Sequence, residues 1–335
     1  MTHIDLKNKY SELKDFLGII SILAILSIIL SIIEPRFLSP YNLRNVLRLS
    51  AILSLVAYGE AIVIIGGGID LSIGSIAAVA SVLTAMVARS VGIVPGFACG
   101  ILTGALLGTI NGVLISRFRL PAFIATFGML VYAEGIANYI SRGAPIEFMP
   151  EGFGVLGSGY LGPIPIPIII SVIVFILAHV MLSKTPFGRY LYAIGGNEKA
   201  AWLSGINVKR YRLLAYTISG LLAGLAAVVL TSRINSGQSN LAPSLPFDAI
   251  AAAAVGGLSM RGGYGKIYQP VLGAMIISVA NNGLNLLNIS SYIQMIVIGG
   301  VILVAVSWDN LRRNESFMKL ITKIHRFRQS EACRN

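Results

Sequence analysis

A short polar stretch, GGGIDLSIGS at residues 66–75, interrupts an otherwise apolar part of the sequence. The apolar run before it, residues 51–65, has the composition of a membrane helix, and three consecutive glycines then break the helix. Asp70 offers two acceptor oxygens, and Ser72 and Ser75 offer hydroxyl groups. Backbone that leaves helical pairing inside a membrane needs water or protein to receive its polar groups. This combination of residues could bind a polyhydroxylated solute.

A structural role for the same residues is the commoner one. Asp70 would then cap the following helix by accepting amide protons near Ser72 and Ile73. Amides in later apolar segments, such as Asn111, could likewise bind sugar hydroxyls or hydrogen-bond one helix to another. We leave both roles open and define a candidate solute path, which comprises Asp70, Ser72, Ser75, Asn111 and Asn282.

Other polar and aromatic residues within the apolar segments raise the same choice. Ionised carboxylates are costly in hydrocarbon and usually face a water-filled cavity or a partner. Those within the predicted spans are Glu60, Asp70, Glu134 and Asp248. Aromatic side chains could stack on a sugar ring but more often serve packing; the candidates are Tyr58, Phe123, Phe127 and Tyr292.

The composition indicates which elements must position these residues. The chain of 335 residues is 55% hydrophobic and 12% charged, with a mean hydropathy of +0.79. A soluble domain of this length needs more charged residues to build its surface. Apolar segments of about 17–22 residues recur along the chain, long enough to cross a hydrocarbon core of roughly 30 Å. The sequence therefore predicts an all-α, polytopic membrane protein.

We predict about ten membrane-spanning helices in a single domain, residues 1–335, with both termini in the cytoplasm. The helices are placed near residues 16–33, 45–66, 70–88, 93–115, 121–141, 164–183, 212–231, 246–260, 267–286 and 291–308. Cytoplasmic tails fall near 1–15 and 309–335, a long outer loop at 141–165 and a long inner loop at 184–211. Most of the 26 Lys and Arg residues then lie on the inner side, as the positive-inside rule requires. The net charge of +12 is explained by this orientation, and no nucleic-acid partner is needed.

The sequence carries no recognisable catalytic or metal-binding pattern. The nearest approach to a phosphate-binding loop, MRGGYGKI at 260–267, has Met260 in place of the first glycine and Ile267 after the lysine. The three histidines and two cysteines are isolated from one another. We therefore predict a chain that is not an enzyme, with no metal site and no cofactor of its own, driven by an ion gradient or by another polypeptide.

The inner loop contains a segment with clear helix boundaries. GGNEKAAWLSGI at 195–206 predicts a turn, a short helix from Glu198 to Leu203, and a stop at Gly205. A short helix between two spans on the cytoplasmic side is either a lid on the bundle or a binding surface for a partner.

Several of these segments resemble the permease subunits of bacterial ABC importers for simple sugars, the ribose-type group. The likeness covers about residues 35–310. Its motifs are GGGIDLSIGS (66–75), NGVLISRFRLPAFIATFGML (111–130), GRYLYAIGGNEKAAWLSGINV (188–208), DAIAAAAVGGLSMRGGYGKI (248–267) and NNGLNLLNISSYIQMIVIGGVILVAVSWD (281–309).

The resemblance implies a ten-helix permease of the bacterial inner membrane that works as a pair of subunits. It implies a periplasmic sugar-binding protein outside and an ATPase inside, which binds ATP and Mg. In this family the stretch matched by residues 67–75 is the signature of the transport core, and the segment matched by 195–206 is the coupling loop held by the ATPase. The candidate ATPase contacts are Gly196, Asn197, Glu198, Ala200, Ala201 and Gly205.

Three hypotheses remain open at this point. The first is a permease for a pentose or hexose. The second is a related ABC permease for a nucleoside, an autoinducer-type furanone or an amino acid. The third is an ion-coupled secondary transporter, which the embedded carboxylates and the broken helix allow, but in which the 195–206 segment has no role.

Overall fold

The computed structural model describes residues 3–312, with side chains for residues 16–307. Within this range the chain forms thirteen α-helices, a 3₁₀ helix at Pro35–Leu38, and a hairpin of β1 (Tyr160–Leu161) and β2 (Ile164–Pro165). The α-helices are α1 (His3–Ile33), α2 (Pro40–Ile65), α3 (Ile73–Ser90), α4 (Ile93–Ser116), α5 (Ala122–Ser141), α6 (Val155–Ser158), α7 (Ile166–Lys184), α8 (Pro186–Gly196), α9 (Glu198–Leu203), α10 (Val208–Ile234), α11 (Leu245–Val255), α12 (Tyr268–Leu286) and α13 (Ser291–Arg312). The predicted tail at 309–335 lies outside the described residues from 313 onward, and the tail at 1–15 does so at residues 1–2.

The all-α class is confirmed, and each predicted span corresponds to a helix. Seven helices in the described range are long and apolar enough to cross a membrane, namely the Phe16–Ile33 part of α1 together with α2, α3, α4, α5, α7 and α10. Helix α11 and the Ser291–Ser307 part of α13 are apolar but shorter. The number of crossings therefore stays a prediction.

Several helix boundaries differ from the prediction because local capping decides them. Helix α3 begins at Ile73 instead of residue 70, because the backbone of 66–72 forms a turn. Helix α10 begins four residues early, at Val208, where the Asn207 side chain accepts the Arg210 amide at 3.1 Å. Helix α11 ends at Val255 instead of 260, because Gly257 takes a left-handed conformation with φ of 82°.

Helix α8 was not predicted, and it replaces part of the expected loop. It buries Gly188, Leu191 and Ile194, which recur every three residues on one face. The glycines at 195–196, predicted as a turn, form its last turn instead. Glycines and aromatic residues obscure the helical pattern of this segment, and its burial against the bundle supplies the stability that local propensity does not.

Helix α10 lies at the centre of the bundle and packs against α2, α3 and α4. Its contact with α4 is made by backbone. A Cβ atom on Gly104 would overlap the carbonyl oxygen of Gly220, and one on Gly108 would lie 2.8 Å from the Cα of Gly220. Small residues at such seams allow the close packing that drives helix association in lipid.

The short helix α11 continues a non-helical segment, residues 235–244, which runs along α3. Gly237 contacts Ala85, the Gln238 amide donates to the Ser81 hydroxyl at 3.1 Å, and Gly74 lies against Ala242. The contacts move down α3 by eleven residues, about 16 Å at 1.5 Å per residue. Helix α11 adds a similar length, so segment and helix together match the hydrocarbon thickness of roughly 30 Å.

Candidate functional site

Asp70 is fully buried, and protein groups surround its carboxylate. Its Oδ1 accepts hydrogen bonds from the Ser72 amide at 3.0 Å and the Ser72 hydroxyl at 2.5 Å. Its Oδ2 accepts from the Ser219 hydroxyl of α10 at 2.9 Å. These contacts give Asp70 the structural role of ordering the turn before α3, with the amide of Ser72 as the one it caps.

Four of the five residues of the candidate solute path lie together. The Asn111 side-chain amide donates to the Ser72 hydroxyl at 2.8 Å, and the Ser75 hydroxyl donates to the Ser72 carbonyl at 2.9 Å. All four residues are buried. This buried polar cluster holds the 66–72 turn against α4 and α10.

The fifth residue, Asn282, lies elsewhere. Asn282 and Asn42 exchange two side-chain hydrogen bonds, at 2.8 and 2.9 Å, which join α12 to the start of α2. Asn42 and Gly66 are 24 residues apart at opposite ends of α2, or about 36 Å at 1.5 Å per residue. The structure therefore does not bring Asn282 to the other four residues, and its contacts are those of the helix-joining alternative.

Three further residues belong to the buried polar cluster. The Tyr216 hydroxyl donates to the Ile69 carbonyl at 3.4 Å, and Glu60 accepts the Asp70 amide at 3.3 Å. The other Glu60 oxygen has no hydrogen-bond partner among the described residues. The sequence did not indicate Ser219 and Tyr216, because they lie almost 150 residues from the turn. The only feature that could have identified them is their spacing, since they are polar residues three positions apart on an apolar helix.

Three pairs of glycines from the glycine-rich motifs meet at one point, which we call the glycine junction. The pairs are Gly66–Gly67, Gly195–Gly196 and Gly262–Gly263. A Cβ on Gly262 would lie 2.8 Å from the Cα of Gly67, and one on Gly195 would overlap the Ile65 carbonyl. The Gly263 amide donates to the same carbonyl at 2.9 Å. Only glycine allows three backbones to approach this closely, so the junction packs the end of α8 directly against the turn.

Helix α9 occupies the predicted range, 198–203, with both predicted ends. The Asn197 side chain accepts the Ala200 amide at 2.9 Å, and Gly205 ends the helix with φ of 83°. Glu198 binds Arg212 of α10 through two hydrogen bonds, at 2.8 and 3.1 Å. The exposed α9 surface is therefore tied to α10 by an ion pair.

Five of the six candidate ATPase contacts are exposed, and one is not. Ala201 is only 4% exposed and packs with Ile194 and Val208, so it faces the bundle. Trp202 and Leu203 are 66% and 69% exposed and were not predicted. Two large apolar side chains on a short helix outside the spans suit a protein partner.

A cavity of about 740 Å³ lies between α9, the start of α10 and the α4–α5 linker. Gly67, Gly68 and Tyr216 line it on the side of the 66–72 turn. Its charged lining residues are Arg119, Glu198, Lys199, Lys209 and Arg212. The cavity therefore reaches from the exposed α9 region to the turn that the buried polar cluster orders.

One face of α10 connects these features. Arg212, Tyr216 and Ser219 follow a spacing of four and three residues, which places them on the same side of a helix. Arg212 binds Glu198 of α9, Tyr216 contacts Ile69, and Ser219 contacts Asp70. One face of α10 therefore contacts both α9 and the 66–72 turn.

These features, a helical bundle with a broken span and a short helix tied to it outside the spans, define a membrane permease. Residues 42–306 match the family described as the permease component of the branched-chain amino acid transport system, and the chain belongs to this family.

Among individual proteins, the ribose import permease protein RbsC of Bacillus subtilis (strain 168) is 46% identical over 301 residues, 89% of this chain and 92% of that protein. The D-allose transport system permease protein AlsC of Escherichia coli (strain K12) is 36% identical over 317 residues, 91% of this chain and 97% of that protein. The L-arabinose ABC transporter permease protein AraH of Azospirillum brasilense is 33% identical over 299 residues, 89% and 88% of the two chains. No solved structure matches the chain. The resemblance to ribose-type permeases and the multi-pass membrane location are confirmed.

Proposed function

We propose that this chain is the membrane-spanning subunit of an ATP-driven importer for a simple sugar, a pentose or hexose delivered by a periplasmic binding protein. The observation that carries the proposal is the link along α10 from the exposed helix α9 to the 66–72 turn. The relatives support the substrate class, because their names specify two pentoses and a hexose and their similarity extends over nearly the whole chain.

The proposed assembly places both termini in the cytoplasm and counts ten crossings in a single domain, residues 1–335. Two permease subunits, identical or paralogous, form the membrane part in the bacterial inner membrane. The chain itself holds no cofactor, and ATP and Mg bind the partner ATPase, which hydrolyses ATP. The binding protein and ATP favour opposite arrangements of the subunits, so the solute path opens alternately outward and inward.

Coupling would begin at α9. When the ATPase closes around α9, the Glu198–Arg212 ion pair transfers the displacement to α10. Because α10 packs on α4 through backbone contacts, it moves as a rigid body, and Tyr216 and Ser219 carry the 66–72 turn with it. The glycine junction gives a second connection, from the end of α8 to the same turn.

Other solutes are less well supported. An amino-acid substrate needs a cation or a helix N-terminus directed at its carboxylate. No Lys or Arg is buried in the part of the chain whose side chains are described, and the four cations that line the cavity of about 740 Å³ lie at or near the ends of the helices. Nucleosides and furanones have no such requirement and stay in the test panel. An ion-coupled transporter would leave the α9–α10 ion pair without a role.

The test is uptake by sealed vesicles that contain this chain with its ATPase and binding protein. ATP is trapped in the lumen with the ATPase, ionophores abolish ion gradients, and labelled pentoses, hexoses, nucleosides, furanones and amino acids are offered outside. We expect accumulation of one sugar that requires both luminal ATP and the binding protein. Uptake that collapses with the ionophores and ignores ATP would overturn the proposal in favour of a secondary transporter.

A further inference from the structure

Helix α5 lies at the edge of the bundle, and about half of its circumference is exposed. Its buried side, which includes Ala125, Met129 and Ala133, packs toward α3. We call the exposed residues Phe123, Phe127, Val131, Glu134 and Asn138 the α5 stripe. At 3.6 residues per turn these five lie within about 80° of one another around the helix.

Glu134 makes lipid an unsuitable neighbour for this stripe. It lies twelve residues after Ala122 and seven before Ser141, so it is about 18 Å and 10 Å from the two ends of the helix. Among the described residues no cation forms a salt bridge with it. An exposed carboxylate at this depth costs several kcal/mol in hydrocarbon and normally faces water or a polar partner.

Two cavities lie next to the stripe. At its inner end, Pro121 and Ala122 line the cavity of about 740 Å³. Farther out, Glu134 lines a smaller cavity of about 70 Å³ together with Ser75 and Asn240. Asn240 belongs to the non-helical segment 235–244, and irregular backbone at membrane depth is characteristic of solute sites in transporters.

The chemistry of the stripe suits a sugar. The rings of Phe123 and Phe127 are nearly parallel, at 7°, with centroids 6.1 Å apart, and present an apolar surface for the C–H face of a sugar ring. The Glu134 carboxylate and the Asn138 amide offer acceptors for hydroxyl groups. By contrast, Asp70, Ser72 and Asn111 are 0% exposed and bonded to protein.

We propose that the α5 stripe is one wall of the solute path and that Phe127 and Glu134 contact the passing sugar. The inference rests on the proposed function, in which the second permease subunit supplies the opposite wall. Asp70, Ser72 and Asn111 of the buried polar cluster then shape the path without touching the solute, whereas Ser75 and Tyr216 line its cavities. Selectivity within the membrane depends mainly on α5.

Thiol labelling tests the wall independently of substrate identity. In the assembled importer, with Cys99 and Cys333 replaced by serine, single substitutions Phe127→Cys, Glu134→Cys and Tyr132→Cys are exposed to a charged, membrane-impermeant thiosulfonate. Tyr132 is the matched control, since it is an aromatic residue of α5, 61% exposed, on a side about 140° from Phe127. We expect residues 127 and 134 to react at least about tenfold faster than 132, because thiolate forms readily only in water. Equal rates at 132 and 134 would overturn the inference.

Uptake by the same importer separates this inference from the proposed function. At equal amounts of assembled importer, we expect Glu134→Ala and Phe127→Ala to lower sugar accumulation by about tenfold or to change the ranking of sugars, because a contact with the solute is lost. Tyr132→Ala should match the wild type. If the wild type accumulates a sugar and both stripe variants match it in rate and ranking, the inference fails. If the wild type accumulates none, the proposed function fails, while the labelling pattern still tests the wall.

Discussion

At the scale of residues, Asp70 is tolerated inside the bundle because hydroxyl and amide donors replace the water it has lost. Ser72 supplies two donors and Ser219 a third. Hydrogen bonds to charged groups contribute about 1.5–3 kcal/mol each, more than neutral ones. Asp70 therefore fastens the 66–72 turn to α10.

Removal of the Ser219 hydroxyl tests this attachment. Ser219→Ala leaves Asp70 Oδ2 without its donor, and we expect the free energy of unfolding to fall by about 1.5–3 kcal/mol. Ser75→Ala is the control, because its hydroxyl bonds only a backbone carbonyl and its loss should cost about 1 kcal/mol or less. Thermal unfolding of the purified chain in detergent gives the comparison, and equal effects of the two variants would argue against a special role for Ser219.

A second residue-scale prediction concerns Gly68, whose Cβ position is occupied by the Tyr216 hydroxyl. Gly68→Ala should destabilise the turn through this clash, by about 1–3 kcal/mol. Tyr216→Phe removes the hydroxyl, so the double variant should be more stable than the sum of the single effects allows. The readout is a double-mutant cycle of unfolding midpoints. Simple additivity would show that the two residues do not touch.

At the scale of elements, α10 determines how a partner on the cytoplasmic side can act on the turn. It meets α9 at Arg212, lies on α4 through glycines, and reaches the turn through Tyr216 and Ser219. An exposed ion pair contributes only about 0–1 kcal/mol to stability. The Glu198–Arg212 pair therefore adds little to the stability of the chain, and the role proposed for it is to orient α9 on α10.

Substitutions in α9 should separate hydrolysis from transport. Glu198→Ala breaks the link to α10, and Gly205→Ala places a Cβ at φ of 83°, which costs about 1–2 kcal/mol. We expect both variants to insert normally but to transport less sugar for each ATP hydrolysed. Arg210→Ala, an exposed cation two residues before Arg212 that does not take part in this ion pair, is the control. Normal coupling in both variants would refute the role assigned to α9.

At the scale of the whole molecule, the unusual predicted crossing is the one that contains α11. With eleven residues, α11 is about 16 Å long, half of what a hydrocarbon core requires. The non-helical segment 235–244 covers the other half along α3. Backbone of this kind persists inside a membrane only when protein or a water-filled cavity receives its polar groups.

Topology reporters can decide whether this segment crosses. Alkaline phosphatase, active only outside, should be active when fused after residue 152 or 235 and inactive after 196 or 266. A fluorescent protein that matures only in the cytoplasm should be active after residue 312. Residues 235 and 266 on the same side would make the segment re-entrant and place the two termini on opposite sides of the membrane.

The sequence alone determined what depends on composition and on neighbouring residues. Apolar runs located the spans, and the stop at Gly205 helped to locate α9 to the residue, because a glycine cap acts within one turn of the chain. Local signals were too weak to predict α8, because this helix depends on the burial of Leu191 and Ile194 against other elements.

Only the tertiary structure decided which distant residues meet. It joined Asp70 to Ser219, paired Asn282 with Asn42 instead of with the turn, and turned Ala201 inward. It also left Glu134 on an exposed face of α5. Periodicity alone cannot distinguish such a face from one that lines a cavity inside the subunit. Contacts between residues 149 or 240 positions apart depend on how helices pack, and packing follows from close backbone approaches at glycines that no local pattern records.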